Sequence, residues 1–448
     1  MRPDRLFNRF FLLLAALLLA PAALAGLAIQ NWTTPQGAHV YFVENHELPM
    51  LDISVDFAAG SARDSREKSG LASLTPHLMT LGAGAYDERD ISEKMADVGA
   101  VLGGRFDADR AGFQVRTLSG KVERDQAVTL LAAILAAPRF EAAVLDREKA
   151  RVIAGLQEAE TRPEQIGEKA YQAAIYGDHP YALNEPGEVA TVAQLTRDDL
   201  IAFHRAYYRA RNMTIAMMGD LTRADAEKLA EQLAAGLPEG DAPAPIAAVK
   251  VAPQGQQQVI PHQATQSHLF MGLPGLQRID PDYFPLTVGN YVLGGGGFDS
   301  RLTKAIRDRK GLAYSVYSYF SPMQELGPFT IGLQTRRATT DEAVASARAE
   351  LARYRAEGPT EAELTQAKNN LIGGFPMRID SNKKILEYLA VIGFYRLPLD
   401  WLDTYTASVE AVSRDDILRA FRARVRPEAM STVIVGGQLE ASVESKGR

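Results

Sequence analysis

The sequence predicts an α+β fold given twice: two similar domains, each a mostly antiparallel sheet with helices packed on one face. Three observations carry this. The chain has 448 residues, more than a single hydrophobic core usually organises. It repeats itself: Thr196-Arg197-Asp198-Asp199-Leu200 and Ser413-Arg414-Asp415-Asp416-Ile417 each precede a helical pattern and then an apolar run ending in glycine. Those runs, Met213–Gly219 and Met430–Gly436, lie 217 residues apart, the same offset as Thr196 and Ser413. Finally, both halves contain period-two apolar alternation, the mark of a half-buried strand.

Taken in order, the first 25 residues differ from the rest. Arg2, Arg5 and Arg9 form a basic start, Phe10 to Ala20 is an unbroken apolar run, and Ala23-Leu24-Ala25 supplies a small-x-small cleavage pattern. This reads as a cleaved secretory signal, too short to span a bilayer comfortably, and it predicts a periplasmic product without stable membrane insertion. Leu51, Ile53, Val55 and Phe57 then alternate with Asp52, Ser54 and Asp56; Phe329, Ile331 and Leu333 do the same beside Thr330, Gly332 and Gln334. Helical stretches are expected near 146–160, 224–235 and 341–357, the last stopped by Gly358-Pro359. Residues 236–258, with four prolines and three consecutive glutamines, have linker composition. The expected organisation is therefore a signal at 1–25, a first domain at 26–235, a linker at 236–258 and a second domain at 259–448.

Composition narrows the function. The formal net charge is −6, and removal of three Arg and Asp4 with the signal would take it to −8, which argues against nucleic acid as a partner. The absence of cysteine excludes disulfides, thiolate metal sites and a cysteine nucleophile. No Gly-x-Ser-x-Gly elbow supports serine hydrolase chemistry. His77 sits in an apolar helical stretch, Gly70 to Met79, where an inverted zinc motif, His-x-x-Glu-His, would need a second imidazole and a general base. Ser73 and Pro76 hold those places, so His77 reads as a packed or hydrogen-bonded histidine. The run Gly294–Gly297 lacks the Gly-Lys-Ser/Thr ending of a phosphate loop and is expected to be a flexible loop leading to a helix near Ser300.

Two segments carry a specific resemblance. Gly60-Ser61-Ala62-Arg63, Gly70-Leu71-Ala72, His77-Leu78-Met79 and Gly82 resemble the zinc-helix region of the pitrilysin/insulinase peptidases. Leu293 to Leu302 and Ile306 to Val316 resemble that family's second-domain signature, and the likeness runs over nearly the whole chain from Ile29 to Gly437. It implies the repeated α+β domains of that family, and it makes the departures informative. Active members carry both histidines, the glutamate between them and a glutamate on a later helix; here Ser73, Pro76, His77 and Ala154, with Gly155 beside it, stand at those places. The resemblance therefore implies no catalytic zinc in this chain. It also implies a substrate-holding role for Arg307 and Tyr314, which keep the family's Arg-x6-Tyr spacing and offer a guanidinium and a phenol as donors to a carbonyl or oxyanion. Against that stands a purely structural role, Arg307 at a helix end and Tyr314 in a strand. The combination implies a non-catalytic subunit paired with a homologous zinc-binding peptidase around a peptide substrate; the alternative is a scaffold or binding protein of the cell envelope.

Overall fold

A computed structural model of the chain describes residues 27–436; the expected export signal lies outside them. The first sheet uses β1 (Gln30–Thr33), β2 (His39–Glu44) and β3 (Met50–Phe57). A short ribbon, β4 (Gly82–Ala83) and β5 (Tyr86–Asp87), follows before β6 (Val101–Phe106), β7 (Ala111–Leu118) and β8 (Met213–Gly219). Strand order in the sheet is β1-β2-β8-β3-β7-β6. The second sheet is built from β9 (Gln257–Ile260), β10 (Gln266–Leu276), β11 (Ala313–Phe320), β12 (Gly327–Arg336) and β13 (Ser431–Val435), in the order β11-β12-β10-β13-β9. In both sheets the late repeat strand, β8 or β13, runs parallel to one neighbour and antiparallel to the other. The repeated Thr196 and Ser413 are matching N-caps, each in a capping box with the aspartate three residues on. The duplication read from the sequence therefore has its physical basis in equivalent strands and equivalent caps.

Helices of the same half cover one face of each sheet. On the first, Phe42, Ile53, Val55 and Met217 pack against Leu74, Leu131 and Leu229. The opposite face is not open to solvent, and this changes the reading of the alternating strands. Asp52, Ser54 and Asp56 are buried along with their apolar neighbours. The cause is an exchange: the helix Asn382–Tyr395, from the second half, lies on the far face of the first sheet and packs Leu386 and Leu389 against Ala216 and Met218. Reciprocally, the helix Pro163–Tyr176 of the first half lies on the second sheet, its Tyr171 and Ile175 against Phe270 and Val433. Buried polar groups on the covered faces need partners: Arg116 makes a two-pronged contact with Asp52 at 2.7 and 3.0 Å, and the Tyr171 hydroxyl donates to the Phe329 carbonyl at 3.0 Å.

A buried carboxylate ties the halves together. Asp109 accepts the Tyr181 hydroxyl, the Tyr395 hydroxyl at 2.8 Å and the Gln324 N–H at 2.7 Å. The proline-rich stretch 236–256 has no helix or strand, yet it is anchored. Ile246 and Val249 are buried, and the carbonyls of Ala244 and Ala247 accept from Arg63 at 2.7 Å and His179 at 2.7 Å. The helices expected from periodicity occur at Ala142–Ala159, Arg223–Ala234 and Thr340–Glu357. The last ends at Gly358 with φ of +70°, a left-handed stop natural to glycine. No helix among the described residues is long and apolar enough to cross a membrane.

Candidate functional site

The His77 helix spans Leu71–Met79. Asp64 fixes its start by accepting the N–H groups of Gly70 and Ala72, both at 2.8 Å; burial pushes this carboxyl up to about 7, and those two bonds oppose the rise. Ser73 spends its hydroxyl on the Gly70 carbonyl at 3.2 Å. Pro76 is buried within the helix and has no side-chain donor or acceptor. His77 faces the helix Ala142–Ala159, where its Nε2 donates to Glu148 at 2.9 Å.

Glu148 is the residue that sequence reasoning missed. Its side chain is 1% exposed, and it also accepts Arg147 at 2.7 Å and Arg151 at 3.0 Å. Arg147 in turn reaches Glu88 at 2.7 Å. Burial works against the Glu148 charge, but the bonds from His77 and Arg147 outweigh it and hold the carboxyl below its usual range. Ala154 and Gly155 lie on the exposed side of the same helix, and a Cβ at 155 would meet nothing within 4 Å. A catalytic zinc needs three protein donors. Ser73, Pro76, Ala154 and Gly155 supply none that suit it, His77 is engaged by a glutamate, and no metal-competent cluster of three or more His, Cys, Asp or Glu occurs among the described residues. This donor set does not fit zinc.

The second half has the opposite character. Arg307 and Tyr314, with Gly294, Gly295 and Gly297, line one open cleft of about 450 Å³. The glycines are not a loose loop: Tyr291–Gly295 forms a π-helical turn, and Gly294 is pressed so closely on β11 that a Cβ would come within 2.3 Å of the Ser318 hydroxyl. Arg307 stands on a second π-helical turn, Thr303–Asp308, with its guanidinium 4.7 Å from the centre of the Phe298 ring, a cation–π contact. Its nearest carboxylate, Asp308, is 3.9 Å away. Tyr314 owes its position to a bulge. The β11–β12 register slips between Ala313 and Val316, so Tyr314 and Ser315 stand opposite a single β12 residue. The result is a tyrosine 92% exposed with no hydrogen-bond partner among the described residues. Phe298, Tyr317 and Tyr319 complete an aromatic rim that the Arg-x6-Tyr spacing does not announce. The His77 cluster and the Arg307 cleft belong to different halves; the fold brings Arg307, Tyr314 and the glycines together and leaves His77 apart.

A family description named "Insulinase (Peptidase family M16)" matches residues 40–185, and "Peptidase M16 inactive domain" matches residues 194–371. The crystal structure of a peptidase M16 inactive domain from Pseudomonas fluorescens is 35% identical, with a TM-score of 0.88, covering 92% of this chain and 98% of that one. The chain belongs to the M16 peptidase family. Among curated M16-like relatives, a "Non-peptidase homolog YmxG" of Helicobacter pylori is 25% identical over 89% of this chain and 92% of its own length. An "Uncharacterized zinc protease SCO5738" of Streptomyces coelicolor is 25% identical over 91% of this chain and 89% of its own. The fold is shared further with a protease structure from Helicobacter pylori, at 19% identity and a TM-score of 0.84, covering 92% of this chain and all of that one. The family's scaffold spans both halves, and His77 is joined to the ion-pair network around Glu148.

Proposed function

We propose that this M16 chain is the non-catalytic subunit of a heterodimeric zinc peptidase, exported to the periplasm and forming half of a peptide chamber. Its partner is a homologous subunit that carries the zinc. In this reading Arg307 and Tyr314 hold the substrate carbonyl, or the oxyanion that develops from it, at the partner's metal. The supporting observation is the cleft on the second sheet, where a guanidinium without a close carboxylate and a fully displayed phenol stand together. Donors left free in this way suit developing negative charge. A buried structural Arg–Tyr pair would instead be saturated by internal acceptors.

This subunit takes no metal of its own; any zinc in the complex comes from its partner. The test is affinity purification of the tagged chain from its native envelope. Co-purification of a near-stoichiometric homologue with an intact His-x-x-Glu-His motif supports the reading and provides the complex for assay. Recovery alone, or with unrelated envelope proteins, overturns it in favour of a non-enzymatic scaffold.

A further inference from the structure

Two donors act on one carbonyl only if their spacing is fixed. Arg307 and Tyr314 stand on different elements, a helical turn and the strand β11. Neither is fixed at its tip: Arg307 rests on the exposed Phe298 ring, and Tyr314 stands in solvent. Their spacing therefore comes from the backbone beneath them.

Asn290 lies under the cleft, buried at the end of the helix Tyr283–Asn290. Its Nδ2 donates to the Ser318 carbonyl at 2.9 Å, and its Oδ1 accepts the Ser318 hydroxyl at 2.7 Å. A carbonyl only accepts, so the amide stands in one orientation. Ser318 is buried on β11, the strand of Tyr314. The chain crosses this pair without side chains: a Cβ at Gly295 would come within 2.8 Å of the Asn290 Nδ2, as one at Gly294 would meet Ser318. The far end of the glycine stretch is held too. The Thr303 hydroxyl donates to the Gly297 carbonyl at 3.0 Å and accepts the Ser300 hydroxyl at 2.9 Å. Thr303 opens the turn that carries Arg307. One stretch of backbone is thus fastened to the strand of Tyr314 at one end and to the turn of Arg307 at the other. Every side chain in the fastening is neutral and buried, so it sets geometry without adding a charge that competes for the substrate oxygen.

We propose that Asn290 is a positioning residue for the Arg307–Tyr314 pair, given the substrate-holding role set out above. Its amide locks the glycine stretch to β11, and Thr303 carries that constraint to Arg307. Asparagine suits the task because one short planar group supplies both a donor and an acceptor. A leucine has nearly the same shape and offers neither, which deprives the buried Ser318 of both bonds. Groups that act together need holding to within about 0.5 Å, and side chains behind the reacting ones provide that grip. The glycines of this stretch are there for close packing on the lock, not for looseness.

The experiment follows the spacing in the purified full chain, without any partner. The chain has no cysteine, so a nitroxide on Asp299→Cys marks the end of the glycine stretch alone. Fluorotyrosine placed at position 314 then reports its distance from that label through fluorine relaxation. Asn290→Leu should replace a single fast relaxation rate with a slower, spread set of rates, and Ser318→Ala, a milder change, should move it the same way. Val409→Ala, which trims the same core away from the cleft, should leave it intact. An unchanged rate in Asn290→Leu, or an equal loss in Val409→Ala, overturns the proposal. In the assembled complex Asn290→Leu should lower kcat on the order of tenfold with KM held, as a small misplacement of an acting group does. In an Arg307→Ala/Tyr314→Phe background it should cost nothing further; a full additional loss there overturns the proposal as well. If affinity purification finds no peptidase partner, the substrate-holding role falls, and the fluorine measurement still decides whether Asn290 sets the spacing.

Discussion

The His77 cluster of the first half and the Arg307 cleft of the second differ in what their polar groups are doing. Around His77 every strong group is satisfied from within: Glu148 takes up His77, Arg147 and Arg151, and Arg147 continues to Glu88. Around Arg307 the groups are displayed, with Tyr314 in open solvent and the guanidinium resting on an aromatic face. A network closed on itself stabilises the fold, whereas an open set contributes little to folding and keeps its donors free for a ligand. The comparison makes the second half the place where the proposed function is tested.

Four experiments test that contrast. In the assembled complex, Arg307→Ala should lower turnover on the order of a hundredfold, as loss of one oxyanion donor does, with the thermal midpoint and subunit assembly unchanged. An unchanged rate would remove Arg307 from the mechanism. Glu148→Ala should do the reverse. It should cost about 2 kcal/mol in urea denaturation, because a buried acceptor of several donors is lost while its half-exposed partners regain water, and turnover of the complex should not change. Tyr314→Phe keeps the ring and deletes only the hydroxyl, so about a tenfold drop in turnover is expected, again at constant stability. The smallest effect is the pH dependence of stability. The Glu148 carboxyl is held below its ordinary 4.5 in the folded chain. Its contribution is therefore fully present above pH 4.5 and disappears as the pH falls through the lower folded value. Acid titration of the unfolding free energy should show wild type losing about 1 kcal/mol more than Glu148→Gln below that point; parallel curves would show that the pair contributes nothing to stability.

Much of this architecture is legible in the chain. Repeated Thr/Ser caps and repeated apolar strands reveal the duplication, because capping and alternation are local and leave their pattern in adjacent residues. Equally plain in the chain are Ser73 and Pro76, which stand where the family resemblance places a histidine and a glutamate. Long-range pairing is another matter. Nothing near Glu148 announces that it will face His77, 71 residues earlier; an Arg-Glu-Lys-Ala-Arg stretch reads as a solvated helix face. The alternation of β3 gives Asp52, Ser54 and Asp56 to water, and the fold denies this because a helix from residues 382–395 covers them. An amphipathic pattern records that a helix has an apolar side, not which sheet will receive it. The display of Tyr314 is hidden for a similar reason, since the bulge exists only relative to its partner strand.

The exchanged helices also set a clock. When β8 is complete at Gly219, Ala216 and Met218 present an apolar face whose cover ends only at Tyr395. About 175 residues must still appear, which at roughly 5–20 residues per second takes on the order of ten to thirty seconds. For that interval the first half is a sheet with one side bare, exposed to wrong partners and to other copies of itself. A chain of this design reaches its native state only near its own end, and whatever shields the unfinished face in the meantime is as much a condition of its existence as the contacts that finally bury it.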